Sequence, residues 1–462
     1  MKSVDSTVEL RGVEPAFAGQ KTIAVYGMGF VGLTLAVTFA DAGFPVVGVE
    51  RDTAIVAKLN QKKAAFYEKG LDDLLQSVAD KNPMQVSTSV GIFPADVHII
   101  SVGTPLGKDN KPDLGALSAI ASDIARVLKQ GDLVILRSTV PVGTTRGAVL
   151  PLLESGGLKA GEGFYLAFAP ERTAEGKALE ELKILPQIIG GVNAKSVEMT
   201  RQIFSSITKT IVEVGSLEAA ELVKLMNNTF RDLVFSFANE TAQICDALNI
   251  DAFQLIKSAN EGYPRNTIPL PSPGVAGLCL SKDPYLYSYP AAGVAYEPVL
   301  GFASRKINSQ GADYVRTKLE RFCQITGRKL PDLKILLVGL AFKGMPETSD
   351  CRHSVALELL ESLPSPQNIA VKDFVVPSED IRALGYRPAE DFADAIGSAD
   401  AILVMNNHYR NNQVDVVGAL KNAKRPVLFF DGWHMFDRQA IESLESVLYA
   451  TMGYMTANKN GL

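Results

Sequence analysis

The sequence predicts an α/β protein in which two doubly wound parallel-sheet domains are joined by a central helical domain with a long connecting helix. Three observations predict it. Short apolar runs alternate with amphipathic stretches from residue 21 to about 210, one unbroken helical pattern covers 216–247, and the alternation returns at 334. Strand–helix alternation of this kind marks a parallel sheet covered on both faces.

In the first block the candidate strands are 22–26, 46–50, 97–102, 133–137 and 165–169. In the long helix, Leu222, Leu225, Met226, Phe230 and Val234 recur near helical spacing, with no Pro or Gly after Gly215. A Gly/Pro-rich loop follows from Tyr263 to Pro284, and strands resume at 334–338, 369–373, 401–405 and 427–431. The expected divisions are a tail over 1–20, a first α/β domain over 21–213, a helical domain over 214–325 and a second α/β domain over 326–462. The polar, Gly-containing stretch from about 451 is expected to lack order.

Composition narrows the function. The 462 residues exceed what one core accommodates, and 47% hydrophobic with 21% charged residues is ordinary for a globular protein. A net charge of -5 argues against nucleic acid as a partner. No run approaches the roughly 20 apolar residues of a membrane helix, and residues 1–20 lack the pattern of a signal peptide. Cys245, Cys279, Cys323 and Cys351 form no CxxC pair, so reduced thiols in the cytoplasm are expected. His98, His353, His408 and His434 have no ligand spacing, and no metal is expected.

Gly27-Met28-Gly29-Phe30-Val31-Gly32 directly follows the first strand and opens a helix. The three glycines give a tight turn, room for a pyrophosphate against the backbone, and close helix–strand packing, while the N–H groups of the helix start face the phosphates. Glu50 ends the next strand, where a carboxylate takes ribose hydroxyls and repels a 2′-phosphate. This Rossmann-like unit is therefore expected to hold NAD rather than NADP, although Arg51 beside the acid favours tolerance of NADP.

Cys279 follows a glycine-rich turn in Pro273-Gly274-Val275-Ala276-Gly277-Leu278-Cys279-Leu280-Ser281-Lys282-Asp283-Pro284. With Lys282 nearby it is a candidate for a lowered thiol pKa, and Asp283 is placed one turn away to handle water. A buried bystander is the bland alternative for any lone cysteine. Lys224 and Asn228 are four apart and share a helix face, which suits them to a developing oxyanion; solvated surface residues are the alternative. Ser138-Thr139-Val140-Pro141-Val142-Gly143 and Ala169-Pro170-Glu171-Arg172 each follow a strand, where ligands of open α/β sheets bind.

Together with Ala341-Phe342-Lys343 and Asp350-Cys351-Arg352-His353-Ser354, these segments resemble the UDP-glucose/GDP-mannose dehydrogenase family over roughly residues 20 to 440. The resemblance implies a nucleotide-sugar 6-dehydrogenase of polysaccharide biosynthesis that oxidises a UDP-hexose C6 alcohol to the uronate, consuming two NAD. By it Cys279 carries a thiohemiacetal and then a thioester, and Lys224 and Asn228 stabilise the oxyanion. Asp283 and Thr139 order water, and Glu171 supports hydrolysis. It places Thr104, with Pro105, and Thr139 at NAD, and Glu171, Arg172, Arg265, Gly277, Lys282, Phe342, Lys343 and Arg352 with Lys224 and Asn228 around the nucleotide sugar. It also implies a homodimer or higher oligomer paired through the long helix. The family loop usually carries paired glycines, whereas here Ala276 precedes Gly277, and alanine resists a positive φ.

Tyr263-Pro264-Arg265, with fourteen residues from Arg265 to Cys279, and the Pro170–Gly176 and Pro186–Gly191 segments resemble the UDP-N-acetylhexosamine (UDP-N-acetylmannosamine or UDP-N-acetylglucosamine) branch. Lys282 resembles the UDP-glucose branch, which is the alternative; GDP-mannose stands third. From other classes, a single-step β-hydroxyacid dehydrogenase leaves Cys279 without a role, and a non-catalytic NAD-binding protein needs none of the four reacting groups.

Overall fold

The computed structural model describes residues 21–289, 296 and 298–456. The tail over 1–20 and the end over 457–462 lie outside them. Two sheets carry the fold, and both are wound the same way.

The first has eight strands in the order β3-β2-β1-β4-β5-β6-β7-β8. These are β1 (Ile23–Tyr26), β2 (Val46–Val49), β3 (Gln85–Ser87), β4 (Val97–Ile100), β5 (Leu133–Leu136), β6 (Tyr165–Phe168), β7 (Gln187–Gly191) and β8 (Ile211–Glu213). Strands β1, β2, β4 and β5 are buried at every position, which explains why they read as continuous apolar runs. All neighbours are parallel except β6 and β7. That pair departs from the expected parallel sheet, and β3, β7 and β8 were not among the candidate strands.

The second sheet runs β11-β10-β9-β12-β13-β14-β15. Its strands are β9 (Ile335–Val338), β10 (Ile369–Lys372), β11 (Arg387–Pro388), β12 (Ala401–Val404), β13 (Val427–Asp431), β14 (Val447–Thr451) and β15 (Tyr454–Met455). Residues 451–456 of the stretch expected to lack order are ordered, and the remainder of it lies outside the described residues. Thr451 pairs antiparallel with Tyr454 across Gly453, whose φ of 73° makes the reversal possible.

Between the sheets runs a helix of 32 residues, Leu217–Leu248, about 48 Å long at 1.5 Å per residue. Ser216 caps it by accepting the Ala219 N–H, and Asn249 ends it in the left-handed region. Its two ends enter different cores. Leu217 and Ala220 pack under the first sheet, whereas Ala242 and Cys245 pack into the second domain beside Val315, Leu319 and Leu359. The helix therefore fixes one domain relative to the other and leaves its middle turns in the cleft between them. Among the described residues, no helix is long and apolar enough to cross a membrane, no group of side chains could hold a metal, and all four cysteines are free.

Candidate active site

The cleft begins where the first sheet changes direction, between β1 and β4, the crevice used by ligands of such sheets. Gly27 turns the chain at φ 89°. A side chain at Gly32 would collide with the Gly27 carbonyl, so the first helix can approach the strand only because that position is glycine. At Gly29, by contrast, an added Cβ would meet nothing within 4 Å; this open backbone at a helix start suits a pyrophosphate. Phe30 and Val31 begin that helix and are half-buried. Glu50 leans onto the turn, accepting the Met28 N–H at 2.8 Å through one oxygen and the Asp52 N–H at 3.0 Å through the other. The residues present fit a dinucleotide with free ribose hydroxyls.

The reacting groups come from the long helix and the Gly/Pro-rich loop. Buried Glu221 pins the helix to the segment after β5, accepting the N–H groups of Gly143 and Thr145 and the Thr145 hydroxyl at 2.5 to 2.8 Å. One turn on, Lys224 is 5% exposed. No hydrogen bond or ion pair holds its ammonium among the described residues, yet its charge acts on both Cys279 and Glu171. Asn228 donates to Asp283 Oδ2 at 2.6 Å. Asp283 is 1% exposed, and its other oxygen faces only the Lys282 ammonium, at 3.5 Å. The Asp283 N–H closes a turn on the Cys279 carbonyl at 2.8 Å, so the acid sits one turn from the thiol as expected.

Cys279 opens to solvent on the cleft side, but it is set deeply enough that burial dominates its thiol and pushes the pKa up. Lys224 and Lys282 oppose that rise; Asp283 and Glu175 add to it. The lowered pKa expected from Lys282 alone is therefore not found. Ala276 is not among the left-handed residues, and of this pair only Gly277, at φ 87°, needs to be glycine. An added Cβ there would lie 2.7 Å from the Phe342 ring, so Phe342 forms the floor under the loop.

Other expected residues take different places. Lys282 reaches across to the Thr104 hydroxyl at 3.2 Å, and that hydroxyl donates to the Thr139 carbonyl at 2.5 Å. Lys343 spans the cleft to the Glu175 carbonyl at 2.8 Å. Glu171 is buried with both oxygens occupied, one by the Arg172 and Thr173 N–H groups at 2.6 and 2.7 Å, the other by Arg137. Although burial favours its neutral form, Arg137 and the Thr173 N–H hold its carboxyl below the usual range. Both oxygens of Glu171 are thus engaged in shaping the loop. Arg172 donates to the Pro186 carbonyl at 3.3 Å. Arg352 is locked on Asp350, though its charge is felt at Cys279. Arg265 is exposed above the Tyr263 ring, 5.9 Å from its centre, and is not among the groups gathered at Cys279. Arg137, Glu175 and Glu221 are not marked by the sequence, because a charged residue at a strand end, in a loop or in an amphipathic helix reads as solvated surface.

A thiol, an unpaired ammonium and an amide–carboxylate pair beside a dinucleotide crevice are the equipment of an NAD-dependent oxidoreductase that acts on an alcohol or carbonyl. Comparison narrows the class: the chain belongs to the UDP-glucose/GDP-mannose dehydrogenase family. It matches that family's NAD binding domain over residues 21–208, its central domain over 218–310 and its UDP binding domain over 336–438. It is 34% identical to a UDP-N-acetyl-D-mannosamine dehydrogenase of Pyrococcus horikoshii, over 84% of this chain and 89% of the relative. To an NDP-N-acetyl-D-galactosaminuronic acid dehydrogenase of Ralstonia nicotianae it is 31% identical, over 86% of this chain and 92% of the relative. A solved UDP-D-ManNAc dehydrogenase from Pyrococcus horikoshii superposes with a TM-score of 0.83 at 30% identity, covering 94% of this chain and 99% of the other. The chain is accordingly an NAD-dependent nucleotide-sugar dehydrogenase.

Proposed function

We propose that the chain oxidises the C6 alcohol of a UDP-N-acetylhexosamine to the carboxylate in two NAD-dependent steps, with Cys279 holding the half-oxidised sugar. The observation that carries this reading is the placement of Cys279 one turn from Asp283, itself held by Asn228, with the unpaired Lys224 ammonium acting on the sulfur. NAD, when bound along Gly27–Gly32 and Glu50, supplies the hydride acceptor for each oxidation. The first oxidation removes a hydride and a proton from the alcohol and leaves an aldehyde. Cys279 adds to its carbon to give a thiohemiacetal; loss of a second hydride and proton gives a thioester, and water releases the acid and the thiol. Lys224 and the Asn228 amide meet the negative charge on oxygen. Asp283 Oδ1, with only Lys282 facing it, suits a water or the substrate hydroxyl, and Thr139 joins the same chain of contacts through Thr104 and Lys282. Since both oxygens of Glu171 are occupied, its part is to fix the Arg172–Thr173 loop.

The N-acetylhexosamine is supported by the names of the relatives and by the Tyr263–Arg265 segment; UDP-glucose remains the alternative substrate. NADH release measured across a panel of UDP- and GDP-hexoses, with the acid identified by mass, tests the reading. Two NADH per acid are expected, with UDP-N-acetylmannosamine the first sugar to try. One NADH per product would assign a single-step hydroxyacid dehydrogenase instead, and none with any sugar would leave an NAD-binding protein without turnover.

We also infer a homodimer, in the cytoplasm where four free thiols persist. Leu222, Met226, Phe230, Phe237, Ile244 and Leu248 recur along one face of the long helix and are 40 to 65% exposed in the single chain. Such a stripe on a helix marks an interface, and a self-complementary one closes as a two-fold dimer. Light scattering should give the mass of two chains, falling to one for the Met226→Asp/Phe237→Asp double variant; a monomeric wild type overturns the inference.

A further inference from the structure

One turn beyond Asn228 the long helix carries a buried polar cluster with no part in the chemistry above. Asp232 is 0% exposed, and its Oδ1 accepts from Arg305 Nη1 and Asn308 Nδ2, each at 2.8 Å. Asn308 Nδ2 also donates to the Asp232 backbone carbonyl at 2.9 Å, and Asn308 Oδ1 accepts from Asn239 Nδ2 at 3.0 Å. Two of these side chains then grip the Gly/Pro-rich loop. Asn239 Oδ1 accepts the Ser272 N–H at 3.0 Å, and Arg305 donates to the Val275 carbonyl at 3.3 Å. Both ends of the segment 272–275, four residues before Cys279, are therefore tied to the helix. Backbone packing limits the segment further: a side chain at Gly311 would collide with the Pro273 carbonyl, and one at Gly274 would lie 2.8 Å from Val355 Cγ2.

The cluster is a poor device for stability alone. Asp232 Oδ2 and Arg305 Nε are buried without a hydrogen bond, and a partly satisfied buried charge pair is commonly matched or bettered by apolar side chains. Its position gives it another use. Lys224, Asn228 and Asp232 occupy successive four-residue steps on one helix face, so the element that carries the ammonium and the amide also sets the register of the loop that carries the thiol.

We propose that Asp232, Arg305, Asn308 and Asn239 are positioning residues that hold the Cys279 loop in register with Lys224 and Asn228. This rests on the reading of Cys279 as the nucleophile. Loosening the cluster should move the sulfur away from the ammonium without touching the dinucleotide crevice.

The test is the rate of Cys279 alkylation by iodoacetamide as a function of pH, followed by mass spectrometry on the full chain. Lys224→Met serves as the reference for loss of the ammonium. Asp232→Asn and Arg305→Lys should shift the profile to higher pH in the same direction, by about half a unit, which slows alkylation roughly threefold on the rising limb. Thermal melting and NAD binding verify that the variants are folded. The lysine variant keeps the charge pair but loses the fork to Val275, so it carries the test should the asparagine variant not fold. Profiles of a folded variant that superimpose on wild type, or that move to lower pH as relief of burial alone would make them, overturn the proposal. Because alkylation needs no substrate, a failure of the substrate panel is read separately from this result.

Discussion

Replacing Cys279 with serine should end carboxylate formation while NAD still binds. The crevice at Gly27–Gly32 and Glu50 shares no hydrogen bond with Cys279, so cofactor affinity has no reason to fall. The hydroxyl is nearly the size of the thiol but far less nucleophilic, and it cannot form the thioester that divides the oxidation. The rate of acid formation should drop by at least about 10³-fold, on the scale seen when a covalent nucleophile is removed. The wild-type thiol also has a pH signature. Burial, Asp283 and Glu175 together outweigh Lys224 and Lys282 and raise its pKa, so thiolate is scarce in the ligand-free protein at neutral pH. Alkylation should be slow there and climb as pH rises past the usual thiol range of about 8.5. Acid formation by the serine variant within tenfold of wild type would refute the assignment of the nucleophile.

How far these features were legible in the sequence follows from burial. Strands covered on both faces, such as Ile23–Tyr26 and Leu133–Leu136, are apolar throughout and declare themselves. The edge strands Gln85–Ser87 and Arg387–Pro388 are short and partly exposed, so no run marks them. The direction of Gln187–Gly191 is a matter of topology, which no local pattern encodes. On the long helix the spacing fixed the element but not its partners: Leu225 is fully buried, whereas Met226 and Phe230 face outward. Of the motif residues at strand ends, Thr104 bonds Lys282 and Glu171 feels the charge of Lys224. The sign of the thiol shift was missed because the neighbouring lysine is visible in sequence and burial is not. The ion pair of Glu171 with Arg137, 34 positions away, leaves no local trace in the sequence.

Lys224→Met is expected to lower kcat by about 10² to 10³-fold, the usual cost of removing one preorganised group from a developing oxyanion, with a much smaller change in KM. Charge appears on oxygen only as the hydroxyl proton leaves ahead of the hydride or as the thiol adds, so an ammonium fixed there acts on the transition state more than on the bound alcohol. The structure gives this residue two properties the role requires. Its ammonium has no counter-ion of its own among the described residues, so no ion pair must break, and the helix is anchored one turn earlier by Glu221. Methionine keeps the length and apolar packing of the stem and removes only the charge. Asn228→Ala should cost less in the oxyanion itself but also frees Asp283 Oδ2, which then sits buried and unpaired. The two losses should therefore combine non-additively in a double variant, since the groups serve one oxygen and one carboxylate. Equal losses in KM and kcat/KM for Lys224→Met, with kcat unchanged, would make the lysine a substrate-binding group and remove it from the chemistry.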